Sequence, residues 1–153
     1  MKFEPIFEWD SENGIASCIL TIGNNTFYGT AKCHKMDSDM MSEKTGCDIA
    51  YRRAVIKYYQ HVKAILKERL FALNQLYYAM KDSKKFNEKS YENMSLQKQI
   101  RFTKSDLDTI KEMIANEKQS LKTFIDKKAE FYYMVHMNRI HRKKMEEKAN
   151  LNK

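Results

Sequence analysis

Basic, aromatic and amide side chains are interleaved along this 153-residue chain from Tyr51 onward. A bound nucleotide needs such a set: guanidinium or ammonium groups bind phosphates, a ring stacks on the base, and amides bind base edges and ribose hydroxyls. Two groups lie where concave sites form, one beside a predicted sheet junction and one in a predicted connection. On residue type and placement we predict ligand contacts from Arg52, Arg53, Tyr91, Asn93, Lys98 and Arg101.

Residues suited to catalysis or metal binding do not form a recognisable set. The four histidines are scattered, and none is spaced to act with a nucleophile and an orienting acid. Cys33, His34 and Cys47 lack the fourth ligand that a structural zinc site needs, and buried small side chains account better for the cysteines. No phosphate-binding glycine loop of the GxxxxGK[ST] or GxGxxG type is present. We therefore predict no enzyme, no metal and no cofactor.

The charge of +8 is unevenly distributed. Residues 1–45 carry four Lys against seven Asp or Glu, whereas the remaining chain carries 24 Lys or Arg against 13 Asp or Glu, which predicts an anionic partner. No run of about 18 apolar residues could span a bilayer, and the first ten residues lack a signal-peptide core. Three cysteines without CxxC spacing fit a reducing compartment. We expect a soluble, intracellular protein with no membrane partner.

Strand patterns are confined to residues 1–45, which we interpret as a β-meander followed by a loop. Alternation predicts a first strand over residues 3–9, with Pro5 at an edge or strand start, and further strands over residues 15–22 and 25–33. Gly23 and Asn24 form a two-residue hairpin signal. This loop predicts a register in which Leu20 faces Phe27, Cys18 faces Gly29, and Ala16 faces Ala31.

Helical periodicity dominates the rest of the chain. We predict a long helix over residues 46–83, a connection with a short helix over residues 84–104, a second long helix over residues 105–146 capped by Ser105, and a frayed tail over residues 147–153. The first long helix has the apolar row Ile49, Ile56, Tyr59, Leu66, Leu70, Leu73, Tyr77 and Met80. The second has the row Leu107, Ile110, Ile114, Leu121, Phe124, Phe131 and Val135, interrupted by Glu117 and Lys128.

These elements predict one α+β domain, with the three-stranded antiparallel meander packed on a long helical hairpin. Because so thin a helix pair cannot bury both apolar rows, we expect a homodimer or higher oligomer. Paired tyrosines such as Tyr132 and Tyr133 fit core or boundary positions, and the pair Lys127 and Lys128 fits a solvated face.

Several short motifs resemble phage proteins that counter the Thoeris defence system by sequestering its nucleotide signal. The similarity extends over roughly the first two thirds of the chain and rests on Trp9-Asp10, Gly14-Ile15-Ala16, Phe27, Gly29, Ala31, Cys33-His34, Ser42-Glu43, Gly46, Ile49-Ala50 and Arg53-Ala54. It implies a small oligomer in the host bacterial cytoplasm that binds glyco-cyclic ADP-ribose, a cyclic ADP-ribose isomer, without cleaving it. It also implies pockets at subunit contacts that use Arg, Asn and an aromatic residue. Lys118, Lys122 or Arg139 of the last helix are alternative candidates for the ligand contacts predicted above.

The leading hypothesis is thus a nucleotide sponge, with binding of cyclic oligonucleotides left open. A different hypothesis is a non-enzymatic phage protein whose basic helical face binds DNA or RNA, with an affinity that falls steeply as salt rises. A third is a scaffolding coiled-coil protein, and an enzyme comes last.

Overall fold

A computed structural model of the chain describes residues 3–33, 42–83 and 90–153. The chain forms three strands followed by two long helices, an α+β fold. The strands are β1 (Pro5–Asp10), β2 (Ile15–Ile22) and β3 (Asn25–Lys32), and the helices are α1 (Glu43–Lys81) and α2 (Tyr91–Leu151). The predicted fold class is therefore confirmed, whereas the predicted oligomer stays a prediction.

The sheet is an antiparallel meander in the order β1-β2-β3. The predicted register is confirmed, with Leu20 opposite Phe27 and Cys18 opposite Gly29. In the hairpin loop Gly23 has a φ of 60°, and no described non-glycine residue has a positive φ. A positive φ at the first loop position alone is typical of a type II′ turn, which matches the right-handed twist of the strands. Pro5 is the first residue of an edge strand, where its missing N–H does no harm.

Helix α1 begins three residues before the predicted boundary at residue 46, and it ends at Lys81 rather than at residue 83. Ser42 caps it, because its Oγ accepts a hydrogen bond from the Thr45 N–H at 3.2 Å. The Gly46 N–H donates to the Ser42 carbonyl at 2.9 Å, so Gly46 already belongs to the helix. Of the predicted loop over residues 34–45, residues 34–41 lie outside the described residues and residues 43–45 belong to α1.

Helix α2 corrects the predicted division of the C-terminal part of the chain. We predicted a short helix within residues 84–104, a second one over residues 105–146, and a frayed tail over residues 147–153; one continuous helix occupies Tyr91–Leu151 instead. Residues 84–89 of the predicted connection lie outside the described residues. Ser105 does not cap a helix start, because its carbonyl accepts a hydrogen bond from the Thr109 hydroxyl at 3.0 Å within the helix.

The reason for this continuity is a stripe of buried side chains at three- and four-residue spacing. The stripe continues with the same spacing on both sides of position 105. It comprises Asn93, Leu96, Ile100, Thr103, Leu107, Ile110 and Ile114. Ser90 caps the start of α2, because its Oγ accepts a hydrogen bond from the Asn93 N–H at 3.3 Å.

Contacts divide the chain into two compact units, which we call unit 1 and unit 2. Unit 1 comprises Met1–Ala54 and Gln119–Lys153, and unit 2 comprises Val55–Lys118. The prediction of a single domain stays a prediction. In unit 2, Leu107, Ile110 and Ile114 of α2 form a buried cluster, against which four half-buried residues of α1 pack: Tyr59, Val62, Leu66 and Leu70.

The core of unit 1 consists of small residues that bring the sheet close to α1. Ala16, Cys18 and Leu20 of β2 and Ala50 and Ala54 of α1 are fully buried. Close approach also explains a glycine in mid-strand, since a Cβ on Gly29 would lie 1.8 Å from the Ala50 carbonyl oxygen. Within the described part of the chain, no helix has an apolar stretch of the length that a bilayer crossing needs.

Candidate functional site

The nine residues predicted to contact a ligand are divided between the two units. Unit 1 contains Arg52, Arg53, Lys122 and Arg139, and unit 2 contains Tyr91, Asn93, Lys98, Arg101 and Lys118. The structure therefore does not bring all nine together within one unit.

In unit 1, Arg52 and Arg53 both contact neighbouring elements. Arg52 is half-buried; its Nη1 donates to the Ser120 Oγ at 3.0 Å, and its Cζ lies 5.1 Å from the centroid of the Phe124 ring. Arg53 is exposed and donates from Nη1 to the Thr30 carbonyl at 2.7 Å, which links α1 to β3. Each guanidinium has five N–H donors, so both retain donors after these contacts.

In unit 2, the predicted residues lie on different sides of α2. Asn93 is 4% exposed and belongs to the buried stripe, whereas Tyr91 is 87% exposed. Lys98 and Arg101 are also exposed, and the Lys98 Nζ lies 5.6 Å from the centroid of the Phe102 ring. By helical spacing Tyr91, Lys98 and Arg101 share one face of α2, on which Asn93 does not lie.

A cavity of about 230 Å³ lies in unit 1. It lies between one end of the sheet, the first two turns of α1 and residues 125–132 of α2. We call it the α1 pocket, and its lining residues are Trp9, Gly14, Ala31, Lys32, Cys33, Ser42, Thr45, Gly46, Ile49, Ile125, Lys128, Ala129 and Tyr132. None of the nine predicted ligand residues is among them.

Two glycines shape the α1 pocket. Gly14 has a φ of 63° in the turn between β1 and β2, and its carbonyl accepts a hydrogen bond from the Cys33 N–H at 2.8 Å. Gly46 lets the first turn of α1 approach the sheet, since a Cβ there would lie 2.9 Å from the Ala16 Cβ and 3.4 Å from Cζ3 of Trp9. The pocket therefore depends on a sheet, a turn and a helix start that occupy the first fifty residues.

The lining of the α1 pocket supplies the chemical groups that bind a nucleotide. Lys32 and Lys128 provide ammonium groups, Trp9 and Tyr132 provide rings, and Ser42 provides a hydroxyl. The N-terminus of α1 adds a partial positive charge from its backbone N–H groups. One of these, the Thr45 N–H, already donates a hydrogen bond to the Ser42 Oγ. Together these groups favour an anion with an attached aromatic ring.

Sequence reasoning missed the pocket residues on α2 because of their spacing. Phe131, predicted above to continue the apolar row, is 58% exposed, whereas Lys128, Tyr132 and the predicted row member Val135 are half-buried. Lys128 follows Phe124 by four residues and Tyr132 follows Lys128 by four, so these side chains are neighbours on successive helical turns. The prediction that Lys128 lies on a solvated face is wrong. Its position within the apolar row of this helix is the sequence signal that could have indicated a packed side chain.

Cys18 and Cys47 do not have the properties of nucleophiles, and no metal centre is found among the described residues. Burial raises the pKa of the Cys18 thiol, and the nearby Cys47 raises it further. Burial also raises the pKa of the Cys47 thiol, with smaller contributions from Glu43 and Asp48. Both thiols are therefore protonated at neutral pH, whereas reactive cysteines have a lowered pKa. The described residues contain no group of His, Cys, Asp and Glu side chains able to hold a metal ion, and His34 lies outside them.

Comparison of the chain with protein families, with curated proteins and with solved structures finds no match. The resemblance to Thoeris anti-defence proteins therefore stays a prediction from the motifs described above.

Proposed function

We propose that this protein is a phage sponge for a cyclic ADP-ribose-type nucleotide, glyco-cyclic ADP-ribose, which it binds without cleavage in the host bacterial cytoplasm. The observation that carries the proposal is the α1 pocket, in which two lysines and two aromatic residues line one cavity together with the first turn of α1. The similarity of the N-terminal motifs to Thoeris anti-defence proteins names the ligand class.

Each part of such a ligand has a counterpart among the lining residues. The pyrophosphate suits Lys32, Lys128 and the N–H groups at the start of α1. The adenine ring suits Trp9 or Tyr132, because base and aromatic ring stack through their faces. Serine and threonine hydroxyls suit the ribose.

The size of the α1 pocket limits how much of the ligand it takes. Its volume of about 230 Å³ is below the roughly 300–1,000 Å³ of sites that enclose drug-sized ligands. We infer that it holds one part of the nucleotide, such as the base with an adjacent phosphate, and that the remainder extends beyond these residues.

A sponge acts through affinity and stoichiometry. It must be at least as abundant as the signal and must have a dissociation constant well below the signal concentration. A dissociation constant of about 1 nM corresponds to roughly −12 kcal/mol. Charge-assisted contacts to phosphates and one stacked base reach this range when the pocket is pre-formed.

The first test is release of a bound nucleotide. Purified protein is incubated with lysate from cells whose Thoeris enzyme has been triggered, washed and heat-denatured, and the released small molecules are identified by mass spectrometry. We expect an intact cyclic ADP-ribose isomer at about one per chain. Release of nucleic acid alone, with binding that weakens steeply as salt rises, would instead support a polyanion-binding helical face.

A matched pair of substitutions tests the location of the site. Lys128→Gln removes an ammonium group from the α1 pocket, whereas Lys127→Gln removes the same charge from the neighbouring exposed position. We expect Lys128→Gln to reduce nucleotide capture at least tenfold, since a charge-assisted hydrogen bond contributes about 1.5–3 kcal/mol. We expect Lys127→Gln to leave capture unchanged. Equal effects of the two substitutions would exclude the α1 pocket as the nucleotide site.

The Cys33 thiol provides a second readout of the same site. Because Cys33 lines the α1 pocket and Cys18 is fully buried, alkylation followed by peptide mass spectrometry reports on the pocket. We expect glyco-cyclic ADP-ribose to slow alkylation of Cys33 in the native protein. An unchanged rate at saturating nucleotide would place the ligand elsewhere.

A further inference from the structure

Two cations share one aromatic ring beside the α1 pocket. The Arg52 Cζ lies 5.1 Å from the centroid of the Phe124 ring, and the Lys128 Nζ lies 5.6 Å from the same centroid. Both distances are within the roughly 6 Å over which a ring attracts a cation. We call this group the Phe124 stack.

The two cations differ in what else they contact. Arg52 also donates a hydrogen bond to the Ser120 Oγ at 3.0 Å, so its guanidinium is held from two sides. Lys128 lines the α1 pocket and has three donors on its ammonium group. Arg52 is therefore the fixed member of the Phe124 stack, and Lys128 is the member that can reach a ligand.

The spacing on α2 explains how one helix presents these groups together. Ser120, Phe124, Lys128 and Tyr132 follow at four-residue intervals, so each side chain is a neighbour of the next along the helix. Ser120 and Phe124 contact Arg52 of α1, whereas Lys128 and Tyr132 line the pocket. A substitution at Phe124 therefore acts next to the pocket without removing a lining residue.

Pre-organisation is the physical benefit of this arrangement. A solvated lysine loses rotamer freedom when it binds a phosphate, whereas a lysine already restrained over a ring loses less. The Arg52 charge on the same ring adds to the positive potential that an approaching anion meets.

We propose that the Phe124 stack positions Lys128 to bind a phosphate group of the nucleotide, with Phe124 and Arg52 as positioning residues that act through Lys128. This inference rests on the proposed function, since the phosphate belongs to the nucleotide assigned to the α1 pocket.

The test compares two substitutions at one position. Phe124→Leu removes the ring and keeps an apolar side chain, whereas Phe124→Tyr keeps the ring. Binding of glyco-cyclic ADP-ribose to the full chain is measured by calorimetry over a range of salt concentrations. We expect Phe124→Leu to weaken binding about tenfold and to flatten its salt dependence, and we expect Phe124→Tyr to remain within about twofold of the wild type.

A double-mutant cycle separates positioning from a general structural effect. In a Lys128→Gln background, Phe124→Leu should weaken binding no further, because the residue it positions is already absent. If the loss persists in that background, or if Phe124→Leu binds like the wild type, the inference is overturned. Ser120→Ala, at an exposed position, frees Arg52 without altering the ring and should weaken binding in the same Lys128-dependent way, even if Phe124→Leu does not fold.

Inorganic pyrophosphate distinguishes failure of this inference from failure of the proposed function. If the wild type does not bind glyco-cyclic ADP-ribose, the proposed function fails. A pyrophosphate affinity that is lower for Phe124→Leu than for Phe124→Tyr then still supports the Phe124 stack. Equal pyrophosphate affinities, or no pyrophosphate binding, overturn the inference as well.

Discussion

Gly29 shows how a single residue sets the distance between sheet and helix in unit 1. It faces Ala50 and Ala54, both fully buried, and a Cβ at position 29 would lie 2.6 Å from the Ala54 backbone nitrogen. These neighbours are backbone atoms of a helix, which cannot move aside as the end of a flexible side chain can. The small residues of this contact are therefore a requirement of packing.

We predict that Gly29→Ala lowers the free energy of unfolding by about 3 kcal/mol or more, since overpacking a core costs about 1–3 kcal/mol and here the obstacle is backbone. Urea unfolding, monitored by circular dichroism, measures this loss in the free energy of unfolding. Thr26→Ala, at an exposed position of the same strand, is the control and should change stability by at most about 1 kcal/mol. Equal midpoints for the two variants would contradict this account of Gly29.

Asp10 organises the turn between β1 and β2. Its Oδ1 accepts hydrogen bonds from the Glu12 N–H at 3.0 Å and the Asn13 N–H at 3.1 Å, and its Oδ2 accepts one from the Asn13 Nδ2 at 2.7 Å. The hydrogen bond from the Asn13 side chain, followed by those from the backbone, lowers the pKa of the Asp10 carboxyl below its ordinary value of 3.8. The turn is thus stabilised by the ionised form.

From this direction we predict a pH dependence. A lowered pKa in the folded state gives stability that is complete above the unfolded value of 3.8 and is lost as pH falls through the folded value. Wild type and Asp10→Ala should therefore differ most in urea midpoint near neutral pH and less at strongly acidic pH. A difference that grows on acidification would show that the carboxylate does not stabilise the turn.

At the scale of elements, α2 shows a local signal overridden by packing. Ser105 followed by Asp106 and Asp108 resembles a helix start. The buried stripe nevertheless continues from Thr103 to Leu107, and the Thr103 hydroxyl donates to the Gln99 carbonyl at 2.8 Å. No Gly or Pro interrupts residues 91–151, so nothing in the backbone opposes a continuous helix.

Proline substitution tests this continuity. If Ser105 capped a helix, position 106 would be its first helical residue, where proline is tolerated. In the continuous helix Asp106→Pro should instead lower the free energy of unfolding by about 3 kcal/mol. Tyr91→Pro is the matched control, because Tyr91 is the first residue of α2 and should change stability by less than about 1 kcal/mol. Similar midpoints for both proline variants would restore the predicted break at Ser105.

At the scale of the whole molecule, exposed apolar side chains support the predicted self-association. Phe71 is 66% exposed and Tyr78 is 60% exposed on α1, and Tyr133 is 66% exposed on α2. Single exposed apolar residues are normal, but Phe71 and Tyr78 are seven residues apart and so share one face of α1, and adjoining exposed apolar side chains mark surfaces that bind other proteins.

We therefore predict that the protein in solution is a multiple of the 18.2 kDa chain. Sedimentation equilibrium at low and high salt measures the mass, and an interface of apolar side chains should persist at high salt because salt does not screen the hydrophobic effect. A mass of one chain over the whole concentration range would contradict the oligomer.

The amino-acid sequence by itself determined the strand register, the two-residue hairpin loop at Gly23 and Asn24, and the first long helix to within three residues at each end. All of these depend on alternation, turn residues or caps within a few positions of one another, which are local preferences. Only the tertiary structure decided that α2 is continuous and that Lys128 and Tyr132, rather than Phe131, face a pocket. The physical reason is that these outcomes depend on contacts between distant residues, as between Arg52 and Ser120, 68 positions apart. The pocket likewise joins a strand end, a helix start and a distant helical turn, and no spacing within one element could have predicted it.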